Sequence, residues 1–268
     1  LEECRTLIAS AEANDIIMSV CHVLRYTNFT RTLKKLIDGG RVGQVMSVQH
    51  LEPVGYWRFA HSYVRGNWSR EEDSSSVLLA KSIHDLDWLR YIVGAAPKQV
   101  SSFGSLMFFR KENRPEGAAD RCLDCKLEPE CPYSAPRFYL ERIRSGNIGA
   151  YVESVAGDAT EESVLRQLRI GPYGRCVFAC DNDVADHQVV NIEFENSATA
   201  VFTLAGCSKY GDRRTTVFGS ASGNSGSSRR RRLQSGAFVR RRGPDAQYIG
   251  DCHRSGDFPG DPLSGFCG

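Results

Sequence analysis

Residues 186–204 read Asp186-His187-Gln188-Val189-Val190-Asn191-Ile192-Glu193-Phe194, then Glu195-Asn196-Ser197, then Ala198-Thr199-Ala200-Val201-Phe202-Thr203-Leu204. Two β-branched, apolar-rich runs flank a short polar break, which predicts strands over His187–Phe194 and Thr199–Leu204 joined as a hairpin. Working outward, Cys176–Ala179 and Thr215–Phe218 read as further strands. Val45–Gly55 and Gln99–Met107 add two more, and between them a helix is expected over Val77–Val93. There Leu79, Ile83, Leu86, Leu89 and Val93 fall on one helical face, Ser74-Ser75-Ser76 can cap the start, and Gly94 follows the last turn. Two shorter helices are expected over Arg137–Ser145 and after Asp158-Ala159-Thr160-Glu161, the latter with a capping-box start.

The N-terminal part has a different grammar. Leu7, Ile8 and Ala11 mark an amphipathic helix over 2–14. The run Ile16-Ile17-Met18-Ser19-Val20 reads as a buried strand, and Leu33, Leu36 and Ile37 mark a helix stopped by Gly39-Gly40. A fully apolar strand between helices is the pattern of a parallel sheet covered on both faces. The expected class is therefore α/β followed by α+β. A short α/β remnant (1–42) precedes a mainly antiparallel open-sheet domain (43–218), and a basic tail (219–268) is expected to be disordered or aberrant.

Composition narrows the function classes. The 268 residues carry 34 Lys+Arg and 32 Asp+Glu, too balanced for a nucleic-acid binder overall. The imbalance sits in residues 219–268, where eight arginines, including Arg229–Arg232 and Arg240–Arg242, meet four aspartates. The rest is mildly acidic, and nucleic acid is not an expected partner. No run is long and apolar enough for a membrane helix, and ten cysteines are too few for a disulfide scaffold, so a cytoplasmic setting is expected.

Three segments, in order, resemble the Gfo/Idh/MocA family of NAD(P)-dependent oxidoreductases. The first is Val20-Cys21-His22-Val23-Leu24-Arg25-Tyr26 with Leu33-Lys34-Lys35-Leu36-Ile37-Asp38-Gly39-Gly40-Arg41-Val42-Gly43, in which Cys21 replaces the family's usual glycine. The second, Leu78-Leu79-Ala80-Lys81-Ser82-Ile83-His84-Asp85-Leu86-Asp87-Trp88-Leu89, is similar to the helix that carries the family's active-site histidine. The third is the run from Asp186 to Phe202 quoted above. The resemblance covers about residues 1–220. It implies a Rossmann domain, here present only as a remnant, followed by a sheet domain that faces substrate and packs into homo-oligomers. It also implies hydride transfer between NAD or NADP and a hydroxyl carbon of a sugar, cyclitol or polyol. No Gly-x-Gly pair occurs anywhere in the chain, so the Gly-x-Gly-x-x-Gly phosphate loop is absent from it, as is the family's Glu-Lys-Pro motif. Weak or no NAD(P) binding by this chain alone is expected. The alternative is a non-catalytic binding or assembly module.

His84 is the expected catalytic residue, because removing a hydroxyl proton near neutrality suits an imidazole, whose ordinary pKa is ~6.5. Lys81 precedes it by one helical turn and is the expected second catalytic group. At position 80, where the family often places an aspartate, this chain has Ala80. His22 and Arg25 end the predicted strand, where open α/β sheets bind ligands, and by resemblance they would contact cofactor, with Tyr26 near substrate. Trp57, in an aromatic-basic stretch with His61, Arg65 and Trp68, and His187, at a strand start, are further substrate candidates. Cys122, Cys125 and Cys131, in a proline-rich loop, have spacing suited to a structural zinc, with Cys176 or Cys180 as a fourth ligand.

Overall fold

The structure is a computed structural model that describes residues 2–209, 211–221, 237–242 and 246–251. Its centre is a five-stranded sheet of β1 (Val45–Gly55), β2 (Pro97–Ser105), β3 (His187–Phe194), β4 (Thr199–Ser208) and β5 (Arg214–Gly219), in the order β2-β3-β4-β1-β5. β2–β3, β3–β4 and β1–β5 are antiparallel; β1 and β4 are parallel, with Val48 opposite Ala200 and His50 opposite Phe202. The hairpin at Glu195-Asn196-Ser197 forms as expected, with Ser197 taking the positive φ of the turn.

Period-two alternation divides the sheet into two faces. Val48, Val190, Ile192, Ala200, Phe202, Leu204 and Val217 are buried on the inner face. Phe103 and Phe218 remain exposed on the outer one, where Phe103 stands opposite Val189 and Phe218 opposite Ser47. Helix α4 (Ile83–Val93) belongs to the inner core through Trp88, Leu89 and Ile92. Burial of side chains this size contributes roughly 1.5–3 kcal/mol each. Gly94, at φ 73°, ends α4 as the sequence predicts. The turn and a half before α4 is wider than expected: Leu78–Ser82 is π-helical, and the serines before it provide no side-chain cap. Such turns recur at functional sites. A second, smaller core lies under α5 (Ala135–Arg144), α6 (Gly149–Glu153) and α7 (Glu161–Ile170), built on Tyr139, Val152, Val164 and Leu168. Thr160 caps α7 by accepting from the Ser163 N–H.

Several expectations are corrected. Helix α1 (Glu2–Ala13) forms but buries nothing, with Leu7 and Ile8 exposed, whereas α2 (Asn28–Asp38) forms as expected and buries Leu33. Residues 16–20 form no strand, and Ile17 is 96% exposed. A buried parallel strand needs strands beside it and helices over it, and no described strand pairs with this run. Cys176–Ala179 is a turn rather than a strand, because only Arg175 joins a bridge, to Arg121. Tyr56–Arg65, given no element by the sequence, is helical: α3 (Tyr56–Phe59) runs on into a π-helical segment, Ala60–Arg65. Within the tail, β6 (Ala237–Arg242) and β7 (Ala246–Asp251) pair as an antiparallel hairpin where no regular element was expected. The rest of the tail beyond 221, including Arg229–Arg232, lies outside the described residues. Among the described residues no helix is long and apolar enough to cross a membrane.

Candidate active site

The start of α4 meets the C-terminal half of β1, and two consecutive side chains there face different environments. Asp85 is fully buried. It accepts hydrogen bonds from His50 Nε2 at 2.8 Å and from Arg213 Nε and Nη2 at 2.5 and 3.0 Å. His50 Nδ1 lies 2.7 Å from the Thr215 hydroxyl. Burial by itself would raise the Asp85 pKa, but the bonds to His50 and Arg213 win and hold the carboxyl well below its usual range. Arg213 Nε also lies 2.8 Å from Glu52 Oε2, and Glu52 Oε1 takes the Lys81 ammonium at 2.5 Å. Burial, with Arg213 nearby, pushes the Lys81 pKa down against the pull of Glu52. The cluster of Glu52, Lys81, Asp85 and Arg213 therefore pairs two buried carboxylates with two cations, as buried charges require.

His84, one residue along, is only partly buried, and its Nδ1 is shielded from solvent without a hydrogen-bond partner. Its ring meets that of His22 edge-on, with centroids 5.6 Å apart, and His22 Nδ1 is likewise shielded and unpartnered. His22 Nε2 stands 3.8 Å from Asp87 Oδ1. Arg25 grips the same Asp87 with both Nε and Nη2 and lies over the Tyr91 ring at 5.1 Å. Thus His84 and His22 meet at the first turn of α4, with Arg25 clamped behind His22 through Asp87, whereas Lys81, in the turn before α4, is bonded to Glu52 in the buried network. Two adjacent imidazoles with unmet nitrogens suit a hydroxyl that gives up or receives a proton, since an unpaired buried polar atom costs roughly 1–3 kcal/mol.

The other candidates lie elsewhere. Tyr26 is 64% exposed. Trp57 stacks on Phe138 at 5.8 Å, in an aromatic group with Tyr151 and the Arg142 guanidinium. That group adjoins buried His61, whose Nδ1 is 2.7 Å from the Tyr139 hydroxyl; burial, helped by Arg65, pushes its pKa down to about 4. His187 opens β3 with Nδ1 2.9 Å from Asp186 Oδ1 and is bonded to neither His84 nor Lys81.

The zinc expectation for Cys122, Cys125 and Cys131 is not met, because among the described residues no three potential ligands converge as a metal group. These thiols and Cys176 instead line one cavity of about 340 Å³, together with Arg65. Arg65 is buried and donates to Cys122 Sγ at 3.4 Å and to the Tyr133 and Arg175 carbonyls at 2.8 and 2.7 Å. A fixed cation already hydrogen-bonded to the sulfur takes the place that a dication would need. Cys180, buried beside it, bonds to the Cys176 carbonyl, and burial pushes its pKa up to about 11.

Glu52, His50, Asp85, Asp87, Arg213 and Thr215 were not singled out in the sequence. Asp85 and Asp87 were within reach, being part of the quoted His84-Asp85-Leu86-Asp87 run, as was Glu52, a lone acid before Pro53 at the end of an apolar strand. Arg213 carries no local signal.

Comparison with known proteins decides the family. The family model described as "Oxidoreductase family, C-terminal alpha/beta domain", of Gfo/Idh/MocA type, matches residues 34–248. The chain belongs to the Gfo/Idh/MocA oxidoreductase family. The match runs through β6 and into β7. A Bacillus subtilis (strain 168) protein named as an oxidoreductase, YteT, is 25% identical over 222 residues, covering 80% of this chain and 49% of YteT. A 2,7-anhydro-N-acetylneuraminate hydratase from Mediterraneibacter gnavus is 25% identical over 103 residues, covering 38% of this chain and 26% of the hydratase. This Gfo/Idh/MocA chain thus spans about half the length of YteT. Among solved structures, scyllo-inositol dehydrogenase from Lactobacillus casei, with bound NAD(H) and scyllo-inositol, superposes with TM-score 0.43 at 13% identity, covering 78% of this chain and 42% of that one. An oxidoreductase from Thermotoga maritima gives 0.48 at 13% identity, covering 89% and 47%.

Proposed function

We propose that this chain carries the substrate and proton-transfer part of an NAD(P)-dependent oxidoreductase acting on a hydroxyl carbon of a sugar, cyclitol or polyol. The observation that carries the reading is the unpartnered His84 Nδ1, with the His22 ring edge-on to its own and the buried Lys81 three residues earlier in the chain. His84 takes the hydroxyl proton as the carbon loses hydride, and Lys81, held by Glu52, keeps a cation beside the oxygen on which charge develops. The nicotinamide, when bound, accepts or supplies the hydride.

The residues fit that group at one end only. His22 and His84 offer unmet donors or acceptors for the nicotinamide and substrate, whereas the chain holds no Gly-x-Gly to cradle a pyrophosphate. Residues 1–42, read as the last part of a dinucleotide-binding domain, and homo-oligomer formation through the outer face of the sheet belong to the same proposal. The alternative is a binding or assembly module without catalysis.

The test is turnover of a cyclitol and sugar panel with NAD and NADP, followed by nicotinamide absorbance, with substrate binding by calorimetry alongside. His84→Ala is expected to lower turnover by roughly 10²-fold or more, and Lys81→Ala by a comparable amount. Unchanged turnover in His84→Ala defeats the catalytic reading. Polyol binding that His84→Ala leaves unchanged, with no turnover even at saturating NAD or NADP, selects the module.

A further inference from the structure

The bridge between Arg121 and Arg175 has an unusual feature. It is antiparallel, so two arginines stand directly opposite each other. Side chains at such positions start about 4.5–5.5 Å apart, and like charges there are destabilising. Neighbouring residues on paired extended segments point to opposite faces. Accordingly, Cys122 and Cys176 line the thiol cavity, while Arg121 and Arg175 line a separate cleft of about 510 Å³. Lys111, Arg114 and Asp120 complete most of that cleft's wall.

Its charges are only partly met. Arg114 Nη1 binds Asp120 at 2.7 Å, and Arg175 Nη2 binds Asp181 at 2.6 Å. Arg121 spends Nη2 on the carbonyls of Leu168 and Gly171, which are neutral. The Nε atoms of both Arg121 and Arg175 are shielded and have no hydrogen-bond partner. Among the described residues, Lys111, Arg114, Arg121 and Arg175 thus have only Asp120 and Asp181 as carboxylate partners, and Asp181 is also 3.8 Å from Arg70. A like-charged pair is held in register, with the Nη1 of each arginine making no hydrogen bond to any described residue.

We propose that this cleft binds a phosphoryl group, either free phosphate or the phosphate of an esterified ligand, between Arg121 and Arg175 with Lys111 at the rim. A tetrahedral dianion would cancel the repulsion across the bridge. Each guanidinium, held in place through its Nη2, offers a fixed charge and an Nη1 donor to a phosphate oxygen, while Lys111 adds a point charge. The proposal does not depend on the reading of His84.

The test uses the full chain and inorganic phosphate, with a monosaccharide phosphate as the second arm, by calorimetry and thermal unfolding. Phosphate is expected to bind saturably and raise the unfolding temperature beyond an equal ionic strength of chloride. Arg121→Gln and Arg175→Gln should each weaken binding by roughly tenfold or more. Lys111→Gln, exposed and outside both cores, should fold normally and weaken binding by about two- to fivefold. Tighter binding of the sugar phosphate than of inorganic phosphate identifies an esterified ligand; equal binding identifies the free ion. A phosphate response no larger than that of chloride, or one unchanged in Lys111→Gln and either arginine variant, overturns the proposal.

Discussion

Asp85 and His84 are neighbours on one helical turn, and they are solved in opposite ways. The Asp85 side is closed, with the carboxylate hydrogen-bonded to His50 and Arg213 and His50 anchored in turn on Thr215. The His84 side is open, with two imidazoles turned edge to face and a shielded nitrogen on each left unmet. A closed polar network stabilises a fold, because breaking it strands a buried charge. An open one contributes little stability and keeps its bonding capacity for a ligand. Stability should therefore depend on Asp85 and function on His84.

The largest expected effect comes from Asp85→Ala, which leaves the Arg213 cation facing one carboxylate where it now faces two, and strips His50 Nε2 of its partner. A loss of about 3–5 kcal/mol is expected from urea unfolding at neutral pH. A loss below 1 kcal/mol would erase the contrast. The Asp85 pKa is depressed in the folded state, so its contribution is present above the unfolded value of ~3.9 and disappears as pH falls through the folded one. The gap between wild type and Asp85→Ala should therefore narrow below about pH 4. Thr215→Val is next, at about 1–2 kcal/mol, because it leaves His50 Nδ1 buried without a partner. His84→Ala is the smallest, within about 0.5 kcal/mol. If it instead costs several kcal/mol, His84 belongs to the closed network after all.

The same division governs what could be read beforehand. The β1 bounds, the β3–β4 hairpin, α5 and α7 follow from period, turn residues and caps, which are local. The run Ile16–Val20 misled because a short apolar stretch signals burial without saying what does the burying, and here it stays exposed. In the site, His84 and Lys81 were legible as one helical turn. The groups that close the network around Asp85, namely His50, Thr215 and Arg213, were not, because they arrive from β1, from β5 and from the loop before β5. That arrival depends on strand register, with His50 opposite Thr215 across the β1–β5 pair. The cysteine spacing was equally legible, but only packing placed Arg65 among the thiols.

Sequence alone therefore determined the alternation that makes the sheet, the helix that carries His84, and the family resemblance in its motifs. These are properties of residues close in the chain, where geometry repeats every two or 3.6 positions. Tertiary structure decided which charged groups were satisfied and which were left open. Asp85, Glu52 and Arg213 meet only when three separate elements pack, and His84 stays unmet because the atoms that shield its Nδ1 offer it no hydrogen bond.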